Sequence, residues 1–285
     1  MTKLPESPNR TMSRADFDIP AIRRAADAIQ STMMRLNQAG LVYSHWCGQL
    51  DAAHLRNGST QANKGPAYKP LSWAYDDPNI PWFTLWEYSW LYHWSGIWRK
   101  RKKRNILSLG GSSCALDATL AEAGHHVTVV EQRPYTAANT LHNAKERGWD
   151  MDVVQGDIAD LLDLVPDVTY DMMFSTSVIF LAGAAAQRAV AEHLHQKFDI
   201  NGDGLALMTF DFANPNPKRY LDDPVSHFDW QGFIPLHPEQ GFIDNQERHH
   251  FFYPDPDKGF YTAGALVQRL DHNRPDPTVR PLLKI

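Results

Sequence analysis

The segment from Asn105 to Cys114 constrains the fold more than any other part of the chain. A short apolar run, Asn105-Ile-Leu-Ser-Leu109, breaks at the pair Gly110-Gly111, and a helical pattern opens after Ser112 and Ser113. Glycines at such a break permit a tight turn and let the backbone approach a ligand closely. The helix N-terminus that follows favours an anionic group. Strand and helix then alternate. Leu116, Leu120 and Ala121 mark a helix stopping at Gly124, and His126–Glu131 reads as a strand. Tyr135–Arg147 is a helix ended by Gly148, Asp152–Gln155 a third strand, Met172–Phe174 a fourth. Ala182–Phe198 is again helical, and Leu205–Phe212 is a fifth strand. This alternation predicts an α/β fold with a doubly wound, mostly parallel sheet. Its right-handed crossovers place ligands beyond the carboxyl ends of the strands.

The flanks differ in character. In residues 1–98, Pro20 stands at a helix start, and Ile22, Ala26, Ile29, Met33 and Leu36 recur at helical spacing before Gly40. Residues 56–81 are rich in Asn, Gly, Ser, Pro and Lys and read as an irregular connection. A second helix is expected from Pro81 to Trp98, where Trp82, Trp86, Trp90, Trp94 and Trp98 form a stripe that packs it against the sheet and the first block. Residues 213–285 are rich in Pro, Asp and aromatics, with a late strand at Tyr261–Leu270. The expected organisation is a helical N-terminal extension over 1–98 that caps one domain over 99–285. Residues 213–285 supply acceptor-side loops and late strands.

Composition narrows the class. The chain has 285 residues, enough for a full core, and a net charge of −5. That mild acidity argues against a dedicated nucleic-acid binder. Cys47 and Cys114 give neither a disulfide framework nor a metal spacing. Adjacent His249 and His250 point to opposite faces of an extended segment, so no metal site is expected. The uncharged stretch Met172–Gln187 is too short to cross a bilayer, and Met1–Ser13 has no apolar leader core, so a cytoplasmic location is expected. The run Arg99-Lys-Arg-Lys-Lys-Arg104 precedes the first strand of the alternation and reads as a solvated cap of the preceding helix. Nothing here sets the oligomeric state.

The chemistry lies in an ordered set of strand ends. After the glycine pair, the next strand ends in Glu131, where an acid can accept from both hydroxyls of a ribose. The third ends in Gly156-Asp157, where a carboxylate can meet the exocyclic amine of a base, and the fourth in Ser175-Thr176-Ser177. The G-x-G-x-x-G of a nicotinamide site is absent. The set resembles the class I S-adenosylmethionine-dependent methyltransferases over about residues 82–212, with a weaker tail to Leu270. Ile106-Leu-Ser-Leu-Gly-Gly-Ser-Ser-Cys114 stands at the first motif, Val129-Val-Glu131 at the second and Gly156-Asp-Ile158 at the third. Tyr170–Ile179 looks like the fourth strand, and Asp199–Gly204 like the turn before the fifth. Trp86-Glu87-Tyr88 resembles an element that precedes the first motif in some bacterial members. Ser112 and Cys114 replace two glycines, Ser108 the common acid, and Phe180-Leu181 the frequent Glu-His.

The resemblance implies a Rossmann-like enzyme that uses S-adenosylmethionine, releases S-adenosylhomocysteine, and methylates an oxygen or nitrogen of a small-molecule acceptor. It implies cofactor contacts at Gly110, Gly111, Ser112, Glu131, Asp157, Ile158, Ser175 and Tyr88. Asp211, His249 and His250 are the candidate general bases, from the end of the fifth strand and the C-terminal block. Three alternatives stand beside this reading. One is a non-catalytic scaffold that binds the same ligand. Another is an aminopropyl transferase, disfavoured because Ser175-Thr176-Ser177 stands where those enzymes carry an acid. The last is a nucleic-acid methyltransferase, which needs the basic run to face the substrate.

Overall fold

The computed structural model describes residues 7–43, 80, 82–99, 102–110, 114–199, 202–213, 221, 223–248 and 262–272. The calls made on Gly111, Ser112, His249 and His250 lie outside these residues. At the centre are five parallel strands: β2 (Asn105–Leu109), β3 (His126–Glu131), β4 (Met151–Gln155), β5 (Met172–Thr176) and β6 (Leu205–Ala213). They lie in the order β4-β3-β2-β5-β6, which reverses direction between β2 and β5. Beyond β6 runs β8 (Thr262–Leu270), antiparallel to it. The outer side of β8 is shared by two short antiparallel strands, β1 (Arg10–Thr11) and β7 (Phe233–Pro235). The fold is therefore the expected Rossmann-like α/β arrangement, closed on one side by antiparallel strands.

Helices cover both faces, which is why the central strands read as near-continuous apolar runs. On one face lie α1 (Pro20–Gln38), α2 (Trp82–Trp94) and α3 (Ala115–Glu122), over Ile106, Val127, Val129, Phe174 and Leu207. The other face carries α5 (Leu161–Leu164), α6 (Val178–Leu181) and α7 (Ala184–His193), over Leu107, Val130, Met173 and Met208. The remaining helices are α4 (Pro134–Arg147), which packs beside β3 and β4, and the short α8 (Pro224–His227). Gly148 ends α4 in the left-handed conformation at φ 63°, a position glycine occupies without a Cβ clash.

The tryptophan helix is shorter than its pattern. It stops at Trp94 because the Ser95 hydroxyl donates to Tyr92 O (2.7 Å) and accepts from Ile97 N (3.2 Å), and Gly96 turns at φ 63°. The helix expected over 182–198 begins only at Ala184, after Gly183 at φ 87°, and gives way to a 3-10 turn at Leu194. Between α1 and the sheet, α2 is buried on almost every side, as an apolar helix without a polar face must be. Trp86 and Trp90 stack at 5.1 Å. Their indole N–H groups donate to Asp16 Oδ2 (2.8 Å) and Pro8 O (2.9 Å), so the stripe does pack against the first block. Asn9 donates to Leu236 O and accepts from Val267 N, both at 2.8 Å, which ties that block into the sheet edge as well.

Candidate active site

At the carboxyl edge, the ends of β2, β3 and β4 border a cleft of about 130 Å³. Gly110 forms its floor. Its φ of 73° lies in the left-handed region, and a Cβ there would sit 2.2 Å from Val178 Cγ1. The turn after β2 and the first residue of α6 thus meet with no room for a side chain. Glu131 forms the next wall. Its Oε1 accepts from Arg133 N at 2.8 Å. Burial pushes its carboxyl up, while the Arg133 and Gln132 N–H groups and the Arg133 charge pull it back. Asp157 and Ile158 close the far side. Asp157 Oδ1 accepts from Ala159 N (2.9 Å) as the cap of the following 3-10 turn, and its Oδ2 accepts from Gln132 Nε2 (3.0 Å). Leu181 and Ala182, from the end of α6, complete an apolar side.

Under the first motif lies a compensation that sequence reasoning missed. Ser108 stands where the family pattern has an acid, and its hydroxyl donates to Asp117 Oδ2 at 3.0 Å, so α3 returns a carboxylate to that spot. Asp117 is fully buried. Desolvation pushes it up to about 7, against its bonds to Ser108 and Cys114, and the Glu131 charge adds to the rise. Cys114 accepts from Asp117 N at 3.4 Å, and burial raises its thiol well above its ordinary value.

A second buried acid lies across the reversal point. Glu87, from α2, is 1% exposed. Its Oε1 accepts from Ser177 Oγ at 2.8 Å, and Ser177 Oγ lies 3.5 Å from Thr209 Oγ1. Burial pushes the Glu87 carboxyl up to about 7; the Ser177 and Thr209 hydroxyls lower it, and the Asp211 charge raises it. Ser177 itself adopts φ 58°, a conformation that costs a non-glycine residue about 1 kcal/mol or more. It is held there by its N–H bond to Thr209 O (3.0 Å). The sequence signal for Glu87 was its presence as the acid in an otherwise aromatic helix.

The expected site residues divide accordingly. Gly110, Glu131, Asp157 and Ile158 meet around one cleft. Ser175 is buried on the opposite face of the sheet from Glu87, where its hydroxyl donates to Leu109 O and accepts from Ile179 N, each at 3.3 Å. Tyr88 is buried within α2 and does not border the cleft. Asp211 sits on β6, and its charge raises the Glu87 carboxyl. Of the basic run, Lys103 pairs with Asp150, and Arg104 with Asp171 at 2.5 Å, at the amino ends of β4 and β5, away from the cleft. Among the described residues there is no group of three or more acids, His or Cys that could hold a metal, and no helix long and apolar enough to cross a membrane.

A reversing parallel sheet with a glycine turn, an acid at the end of the next strand and a cleft between them is the arrangement in which open α/β sheets place ligands, at the carboxyl edge. Residues 107–195 match the family model of a methyltransferase domain. No curated protein matches the chain. Among solved structures, one concerned with conversion of a disulfide bond into a thioacetal group during echinomycin biosynthesis is similar at 15% identity, covering 62% of this chain and 79% of its own, with a TM-score of 0.46. The magnesium protoporphyrin IX methyltransferase from Synechocystis is similar at 15% identity over 62% of this chain and 75% of its own, TM-score 0.42. A TehB-like S-adenosylmethionine-dependent methyltransferase from Corynebacterium glutamicum is similar at 11% identity over 60% and 85%, TM-score 0.41.

Proposed function

We propose that the cleft binds S-adenosylmethionine and that the chain methylates a small-molecule acceptor. The observation that carries the reading is the meeting of Gly110, Glu131 and Asp157 at three adjacent strand ends around one cavity. These residues fit the cofactor. Gly110 offers backbone that no Cβ obstructs, Glu131 offers a carboxylate for two ribose hydroxyls, and Asp157 and Ile158 offer an acceptor and an apolar wall for the adenine. When bound, the cofactor supplies a methyl group on a sulfonium, already a strong electrophile. The protein's task is then mainly alignment and exclusion of water. A small acceptor is favoured because, among the described residues, the polar groups beyond Gly110, Glu87, Ser177 and Thr209, are buried.

Two substitutions test the reading. Each charge-assisted bond to a ribose hydroxyl is worth about 1.5–3 kcal/mol. Glu131→Ala is therefore expected to weaken S-adenosylhomocysteine binding by at least about tenfold in calorimetry. Unchanged affinity in a folded Glu131→Ala protein would remove the assignment. Asp157→Asn keeps a capping side chain. It is therefore expected to preserve the melting temperature while weakening binding. A loss of melting temperature with full affinity would leave Asp157 as a cap alone.

A further inference from the structure

We propose that Gln132 is a specificity-determining residue of the cleft: bonded to Asp157, it sets two kinds of hydrogen-bond acceptor side by side, which selects a base bearing an exocyclic amine over one bearing a carbonyl in its place. This inference rests on the cofactor reading above and deepens it.

The backbone places the two residues together. β3 and β4 end in register, with Glu131 opposite Gln155, and Gly156 N donates to Glu131 O at 3.1 Å. Gln132 and Asp157 therefore leave the sheet side by side, and both line the cleft. Each is held from behind. Glu131 Oε1 accepts from Arg133 N at 2.8 Å, a bond that spans Gln132. A Cβ at Gly156 would sit 2.5 Å from Leu164 Cδ1, so the turn into Asp157 packs directly against α5.

Hydrogen bonding then fixes the polarity of the pair. Asp157 Oδ1 accepts from Ala159 N (2.9 Å), and its Oδ2 accepts from Gln132 Nε2 (3.0 Å). An ionised carboxylate can only accept, so an amide bonded to it must turn its nitrogen that way and keep its oxygen for another donor. Each carboxylate oxygen also has a second lone pair. What the pair offers a ligand is therefore acceptor capacity, from a carboxylate and from an amide.

This polarity matches one kind of base edge. An exocyclic amine brings two N–H donors, whereas a carbonyl at the same place brings a further acceptor. Covering the pair with a carbonyl removes water from acceptors that gain no donor, and such mismatches discriminate strongly between otherwise similar ligands. With Glu131 given to the ribose, the other polar side chain lining the cleft is that of Arg133, which can only donate and so favours the opposite choice. The two residues thus make opposing, measurable demands on the base.

The test compares S-adenosylhomocysteine with S-inosylhomocysteine, in which a carbonyl replaces the adenine amine, on the full chain by calorimetry. Wild type is expected to bind S-adenosylhomocysteine at least about tenfold more tightly. Gln132→Met keeps the length of the side chain without its polar atoms. It is expected to weaken S-adenosylhomocysteine about fivefold or more while S-inosylhomocysteine stays within about twofold, so that the preference falls below about threefold. Gln132→Leu carries the test if Gln132→Met does not fold. A merely structural role would weaken both ligands equally, and that result overturns the inference. So does a preference kept in the variants, or a wild type that has none or favours the carbonyl-bearing base. Each of these leaves the cofactor site standing. Failure of S-adenosylhomocysteine to bind wild type removes the cofactor reading and this inference together.

Discussion

Gly110→Ala is expected to destabilise the protein by about 2–5 kcal/mol and to abolish cofactor binding in whatever remains folded. Two independent penalties combine. A left-handed φ costs an alanine about 1–2 kcal/mol, and Gly110 stands at 73°. The new methyl would also lie 2.2 Å from Val178 Cγ1 and 2.8 Å from Val178 Cβ, a clash that no small rotation relieves, and forced overpacking adds about 1–3 kcal/mol. Because Val178 lines the cleft, the displacement needed to admit the methyl narrows the cavity itself. Denaturant unfolding of Gly110→Ala, and of the double variant with Val178→Ala, separates the two parts. The second substitution is expected to recover the clash and not the backbone strain. A Gly110→Ala protein within about 0.5 kcal/mol of wild type would mean that the turn after β2 relaxes freely.

The second large effect depends on pH. Glu87 titrates near 7 in the folded protein, against an ordinary value of 4.5. Between those values the folded state holds a proton that the unfolded chain has released. The contribution of Glu87 to stability is therefore fully present below about 4.5 and is lost as pH rises through about 7. A separation of this size corresponds to about 3 kcal/mol. A glutamine does not titrate, so the stability of wild type relative to Glu87→Gln is expected to fall by up to about 3 kcal/mol between pH 4 and pH 8. Urea unfolding of both proteins at the two pH values measures it. Asp117 also titrates near 7, but it is present in both proteins and cancels in the comparison. A difference that stays constant with pH would show that Glu87 keeps its ordinary value in the folded protein.

Much of the cleft's lining was legible from residue order. Val127, Val129 and Val130 marked β3 and thereby placed Glu131 at its end, and the glycine and aspartate positions followed from the same strand–helix alternation. Ser175 was less accessible to that logic. A strand's side chains alternate between faces, so a one-residue choice among Ser175, Thr176 and Ser177 decides which hydroxyl meets the site, and that phase is set by which face α2 covers. Glu87 was hidden for another reason. Its aromatic surroundings describe a core helix, and its partner Ser177 lies 90 residues away. The pairing of Ser108 with Asp117 depended on how α3 turns its first residues toward the strand. Strands of two or three residues, such as β1 and β7, carry no periodicity for a pattern to detect.

The place of β1 has a consequence for biosynthesis. Asn9 bonds Val267 across a sequence separation of 258, so β1 waits for a segment made far later than itself. The parallel strands from β2 to β6 can assemble as they emerge, but the slot for β1 exists only once β8 has been laid against β6. Closing so long a loop is entropically demanding and slow relative to local pairing. During that interval the outer side of β8 carries unpaired N–H and C=O groups, open to a strand from another nascent chain as much as to its own. Delivery of β1 is thus what closes this edge of the sheet to other strands.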